Sequence, residues 1–211
     1  MDTILSFVIL VLSIIAHEVA HGYAANSLGD PTARLAGRLT FNPIPHIDLV
    51  GSILVPLLLA IGHSPIFFGW AKPVPYNPYN LRNRPWSEAL VAVAGSATNI
   101  FIAIIFGLLV RFGSVIGLDT TSLLLASLIA FINLFLGLFN LIPFPPLDGF
   151  TVLRSILPWS LSSFSTQFEQ RIRAMGIFSL ILFLVVFSYL LAGPFYNFVL
   201  WLFGFIIGSG I

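Results

Sequence analysis

The sequence predicts an all-α polytopic membrane protein, a bundle of about five to six transmembrane segments with a re-entrant or interfacial segment near residues 49–69. Hydrophobic residues make up 58% of the 211 and charged residues 8%. The mean hydropathy is +1.02, far from the balance of a water-soluble domain. Several apolar runs approach the roughly 20 residues that a helix needs to cross a bilayer. Within lipid only a helix or a closed barrel satisfies its own backbone, and runs of this length read as helices. A chain of this size forms a single domain, residues 1–211.

The elements follow in order. A first helix is expected from about Thr3 to Ala25, ending near Gly29-Asp30-Pro31. It has no basic n-region and no small-residue cleavage site, so it is read as retained rather than as a signal peptide. The run Leu49 to Gly62 is apolar but only 14 residues long and carries Pro56, which suits a re-entrant or interfacial segment better than a span. Spanning helices are expected from about Glu88 to Val110 and from about Ser122 to Ile142, joined as an antiparallel hairpin. After the proline-rich PFPPLDG and a polar stretch to Arg173, a further helix is expected from about Ala174 to Ala192, then a shorter apolar segment from Pro194 to about Ile207.

Charge narrows the function classes. A net charge of +1, from nine basic and eight acidic residues, provides no basic face for nucleic acid. With no cysteine, disulfides, iron–sulfur clusters and thiolate metal sites are excluded, and histidine and carboxylate remain as the strong metal ligands. If residues 49–62 do not cross, Arg34, Arg38, Lys72, Arg82, Arg84, Arg154, Arg171 and Arg173 lie on one side and Arg111 alone on the other. Basic residues accumulate on the cytoplasmic side, so this topology puts the N-terminus outside.

The first helix contains IIAHEVAHGYA. His17 and His21, four residues apart, lie on one helix face and can share a metal ion. With Glu18 they form H-E-x-x-H, in which two histidines bind zinc and the glutamate takes a proton from water. Ionisable groups inside a membrane helix are costly and mark function. The competing reading, a histidine pair packed with Glu18 as partner, fits an isolated histidine better than this trio.

A catalytic zinc usually takes three protein ligands. The first helix runs inward with His17 and His21 towards its cytoplasmic end, and the helix before Asp148, in NLIPFPPLDGF, also runs inward, so all three reach a similar depth on the same side. There three prolines and a glycine are expected to prevent a regular helix. His46 in NPIPHIDLVG and His63 in GHSP are the competing ligands, and a plain turn aspartate is the competing reading of Asp148.

AHEVAHG, VAVAGSATNI and FNLIPFPPLDG, in this order on membrane helices, resemble the site-2 protease family, intramembrane zinc metalloproteases of the M50 type; the likeness runs over about residues 10–155. The resemblance implies one Zn2+ per chain held by His17, His21 and Asp148, Glu18 as catalytic base, and Asn140 as a residue that positions substrate or stabilises the oxyanion. It implies a catalytic core of about residues 3–155 with C-terminal helices at about 174–209. The family's usual Gly-Pro is here Gly95-Ser96, ahead of Asn99, which leaves that helix straighter. A connection of about ten residues between the hairpin helices leaves no room for an inserted PDZ domain, and the short end after the last apolar segment is not expected to carry CBS domains.

The implied partners are the lipid bilayer and transmembrane protein or peptide substrates, and the implied setting is a prokaryotic cell membrane with the site towards the cytoplasm. A substrate helix must be locally unwound before its backbone is accessible. The irregular backbone around Pro43, Pro45, Pro56 and Pro143 to Gly149 is the candidate to receive it. A metal-binding transporter or non-catalytic scaffold is the alternative, although neither needs Glu18.

Overall fold

The computed structural model describes residues 3–54, 57, 61, 71–83 and 86–208, and among these it is all-helical, with no strand. The first helix, α1, runs Thr3–Ser27 and is followed by a single turn, α2 (Thr32–Leu35). The next long elements are α3 (Trp86–Gly113), α4 (Thr120–Asn140), α5 (Asp148–Ile156), α6 (Trp159–Ala174), α7 (Ile177–Leu190) and α8 (Ala192–Ile207).

Among the described residues three helices, α1, α3 and α4, are long and apolar enough to cross a membrane, or four spans if the bent C-terminal pair makes one. At about 1.5 Å per residue, the 21 residues of α4 extend about 31 Å, the thickness of a bilayer core. The outer faces of α1 and α3 expose large apolar side chains such as Ile4, Phe7, Phe101 and Ile105, while the polar residues Ser13, His17, Asn99 and Asn133 are buried inside. That inversion of a soluble protein's pattern suits a lipid surround.

Helix α3 is the centre of the bundle, packed against α1, α4, α5 and α8. Ala103 of α3, Leu134 of α4 and Val199 of α8 form one core. Phenylalanines extend it outward: Phe139 of α4 meets Phe187 of α7 at 5.4 Å, and Phe135 meets Phe195 of α8 at 5.3 Å.

The C-terminal segments are two helices meeting at 72°, a broken span or re-entrant loop. Gly193 and Pro194 follow the junction, and proline lacks the N–H and clashes with the preceding turn, so α7 does not continue through it. The stretch before them, expected only as polar chain to Arg173, forms the 16-residue α6. Leu49–Leu54 forms a short π-helix; most of the expected re-entrant segment, with Pro56 and His63, lies outside the described residues.

Two expectations around the site need adjustment. Helix α3 is continuous across Gly95-Ser96, as the missing proline implies. Asp148, by contrast, does not sit in an irregular turn: it is the first residue of α5. The prolines end α4 at Asn140, and the new helix starts once they are passed. Gly149 permits this, since a Cβ there would lie 2.1 Å from the Leu141 carbonyl oxygen.

Candidate metal centre

Four elements converge on the site. The C-terminal half of α1 supplies His17, Glu18 and His21, α5 supplies Asp148 at its N-terminus, and α3 and α4 back them. Asp148 Oδ2 lies 3.0 Å from His17 Nε2 and 3.2 Å from His21 Nε2. Among the described residues, these three form the His/Asp/Glu group able to hold a metal ion, their ligand atoms all within 4.8 Å of one another.

The hydrogen bonds on the far side of each ring define the tautomers. His21 Nδ1 is 2.6 Å from the Val91 carbonyl oxygen, which can only accept, so Nδ1 carries the proton. His17 Nδ1 is 2.6 Å from Asn99 Oδ1, also an acceptor. In the neutral imidazoles both Nε2 lone pairs therefore face an Asp148 carboxylate oxygen. Three lone pairs then converge on one point, and a metal ion, or a proton on a ring Nε2, resolves the repulsion. Tetrahedral zinc with ligands near 2.0–2.1 Å separates them by about 3.3 Å, close to the distances observed. The donor set fits zinc. With protons in that role instead, burial raises the Asp148 carboxyl, but hydrogen bonds from His17 and His21 outweigh it and bring it down to about 2.

Helix α3 contributes the absence of a side chain. A Cβ on Gly95 would fall 2.6 Å from His21 Nε2 and 2.7 Å from His17 Nε2, so glycine is needed for the rings to lie on this helix. Glu18 Oε2 accepts from the Val74 N–H at 2.8 Å, which brings the non-helical stretch 71–77 against the glutamate. That stretch is anchored by the Asp30 carboxylate, which accepts from the N–H groups of Thr32 and Asn77 and from Asn80 Nδ2. Burial pushes the Asp30 carboxyl up, but these bonds and one from the Thr32 hydroxyl outweigh it and hold it below the ordinary range.

The remaining sequence candidates have other hydrogen-bond partners. Asn140 is in the last turn of α4, and its Nδ2 donates to the Leu136 carbonyl of its own helix at 3.0 Å. His46 is buried, with Nε2 donating to the Thr40 carbonyl at 2.9 Å, and is not part of the cluster. Ser13 and Asn133 did not stand out in the sequence, yet both are buried behind His17. The available signal was a polar stripe, since Ser13, His17 and His21 recur every four residues along α1.

A helical membrane bundle with a partly buried His/His/Asp cluster and a glutamate in H-E-x-x-H defines a membrane metalloprotease. The model of "Peptidase family M50" matches residues 117–184, which contain Asp148. The chain is 35% identical over 198 residues, 91% of its own length and 82% of the relative's, to "Putative zinc metalloprotease YwhC" of Bacillus subtilis (strain 168). It is also 41% identical over 80 residues, 38% of this chain and 20% of the relative, to "Putative zinc metalloprotease sll0528" of Synechocystis sp. (strain ATCC 27184 / PCC 6803 / Kazusa). No solved structure matches the chain. The chain belongs to peptidase family M50. It is a zinc metalloendopeptidase of the membrane.

Proposed function

We propose that this chain, acting as a single membrane domain, hydrolyses peptide bonds within or beside the transmembrane helices of other membrane proteins. In this reading His17, His21 and Asp148 hold one zinc ion and Glu18 is the general base. The observation that carries it is the convergence of three lone-pair donors at 3.0–3.2 Å among helices apolar enough to span a bilayer. When bound, zinc supplies a Lewis acid that polarises water and the scissile carbonyl. Glu18 accepts a proton from the attacking water and returns it to the leaving amine. Asp148, at the N-terminus of α5, stays anionic in the favourable field of that helix end.

Asn140 is assigned to substrate positioning on its motif alone, and the role requires its amide to turn away from Leu136. The non-helical backbone at 71–77 beside Glu18, together with residues 141–147, supports entry of an unwound substrate there. The eight-against-one distribution of basic residues supports a cytoplasmic site, and the bacterial relatives support a prokaryotic cell membrane. The test is incubation of purified protein in liposomes with a panel of single-span segments. Cleavage within the spans that a chelator stops and zinc restores is expected; cleavage confined to soluble loops would overturn the reading.

A further inference from the structure

The two histidines are oriented by different means. His21 is held by a main-chain carbonyl, whereas His17 is held by a side chain that itself depends on two others. Asn99 is fully buried and Asn133 is 1% exposed, and neither has a role in the hydrolysis described above. Their amides form a directed chain. Asn99 Nδ2 lies 3.1 Å from the Ser13 carbonyl oxygen and 2.8 Å from Asn133 Oδ1. A carbonyl can only accept, so the Asn99 atom facing it is the nitrogen, and Oδ1 must be the atom facing His17.

Asn133 is fixed in the same way. Its Nδ2 lies 2.9 Å from the Ile129 carbonyl and 2.9 Å from Ser13 Oγ, and Ser13 Oγ donates to the Ile9 carbonyl at 2.8 Å. Backbone carbonyls thus fix the chain at each stage, and a flipped amide would set donor against donor or acceptor against acceptor. The consequence at the far end is that His17 keeps its proton on Nδ1 and its lone pair on Nε2.

We propose that Asn133 and Ser13 are positioning residues that act through Asn99 to hold the tautomer and ring direction of His17, and so raise the affinity of the site for its metal. This rests on the reading of His17 as a ligand. Partners of this kind in other metal sites typically change metal affinity or activity by about 10–100-fold.

The test is zinc affinity, by chelator competition, of the purified full-length chain in detergent, with the visible spectrum of the Co2+-loaded protein as a second readout. Asn133→Leu removes the amide at similar volume and is expected to weaken zinc about 10–100-fold and to shift the Co2+ bands. Asn133→Asp, buried as the neutral acid, still accepts from Asn99 Nδ2 and can donate on its other oxygen, and is expected to restore most of the affinity. Leu134→Ala, beside it in the core of α4, should lower thermal stability and leave affinity and spectrum unchanged. Where the leucine variant does not accumulate folded, Ser13→Ala is expected to give a smaller loss in the same direction. Native affinity and spectrum in Asn133→Leu, or equal weakening in Asn133→Leu and Leu134→Ala, would overturn the inference alone. A native chain that binds no zinc would overturn the metal reading and the inference with it.

Discussion

The two sides of the metal centre are built from different material. On the side of His21 and Glu18, the groups that orient the site belong to the main chain: the Val91 carbonyl and the Val74 N–H. On the side of His17 they are side chains, Asn99 first and then Asn133 and Ser13. A main-chain partner persists whatever residue supplies it, so that side tolerates substitution as long as the backbone holds. A side-chain partner can be removed by one change, and a buried group left behind costs about 1–3 kcal/mol.

The largest effects should ignore the distinction. His17→Ala and His21→Ala each remove a proposed ligand, and both are expected to abolish stoichiometric zinc, measured by metal analysis of purified protein. Gly95→Ala should come next, because the new Cβ meets both rings at 2.6–2.7 Å. Relief needs ring movements approaching 1 Å, a misplacement that costs about 100-fold in rate. Native turnover in Gly95→Ala would show that the rings have slack.

The comparison itself is tested by the next pair. Asn99→Leu should lower zinc affinity about 10–100-fold, whereas Val91→Ala should lower only thermal stability, since Val91 is buried in a small core with Ala25 and Leu81 while its carbonyl remains. Equal losses of zinc affinity in both would erase the difference between the sides.

The smallest effect lies at the edge of the main-chain side, where Asp30 ties the 71–83 stretch to the end of α1. Asp30→Ala orphans the Asn77 N–H and is expected to cost about 1–3 kcal/mol in thermal unfolding, with zinc affinity unchanged. The folded carboxyl is held below its ordinary value, so its contribution is complete above the ordinary carboxylate range and is lost as pH falls below it. The native chain should lose stability there more steeply than Asp30→Asn.

Much of this was legible in the sequence because membrane helices and H-E-x-x-H both write themselves in local spacing. The spans α1, α3 and α4 were readable from apolar length, and the candidates His17, Glu18, His21 and Asp148 from period and topology. What escaped needed three dimensions. Asn133 stands alone among apolar residues in AFINLFLG, and nothing local says that it faces Ser13, 120 residues away. The segment around Asp148 is expected to be irregular because prolines precede it, but they end one helix and leave the next free to begin at the aspartate. Helix α6 carries little apolar signal, and its place depends partly on Glu169 accepting from Arg154 at 2.7 Å, a contact with no signature in either segment.

The most direct measurement compares native protein with Glu18→Gln in cleavage of transmembrane segments, with zinc quantified in both. The account predicts about one zinc in each and a loss of about 10²–10⁴-fold in cleavage by the variant, the range expected on removing a general base. Undiminished cleavage by Glu18→Gln, or absence of zinc from the native chain, would contradict it.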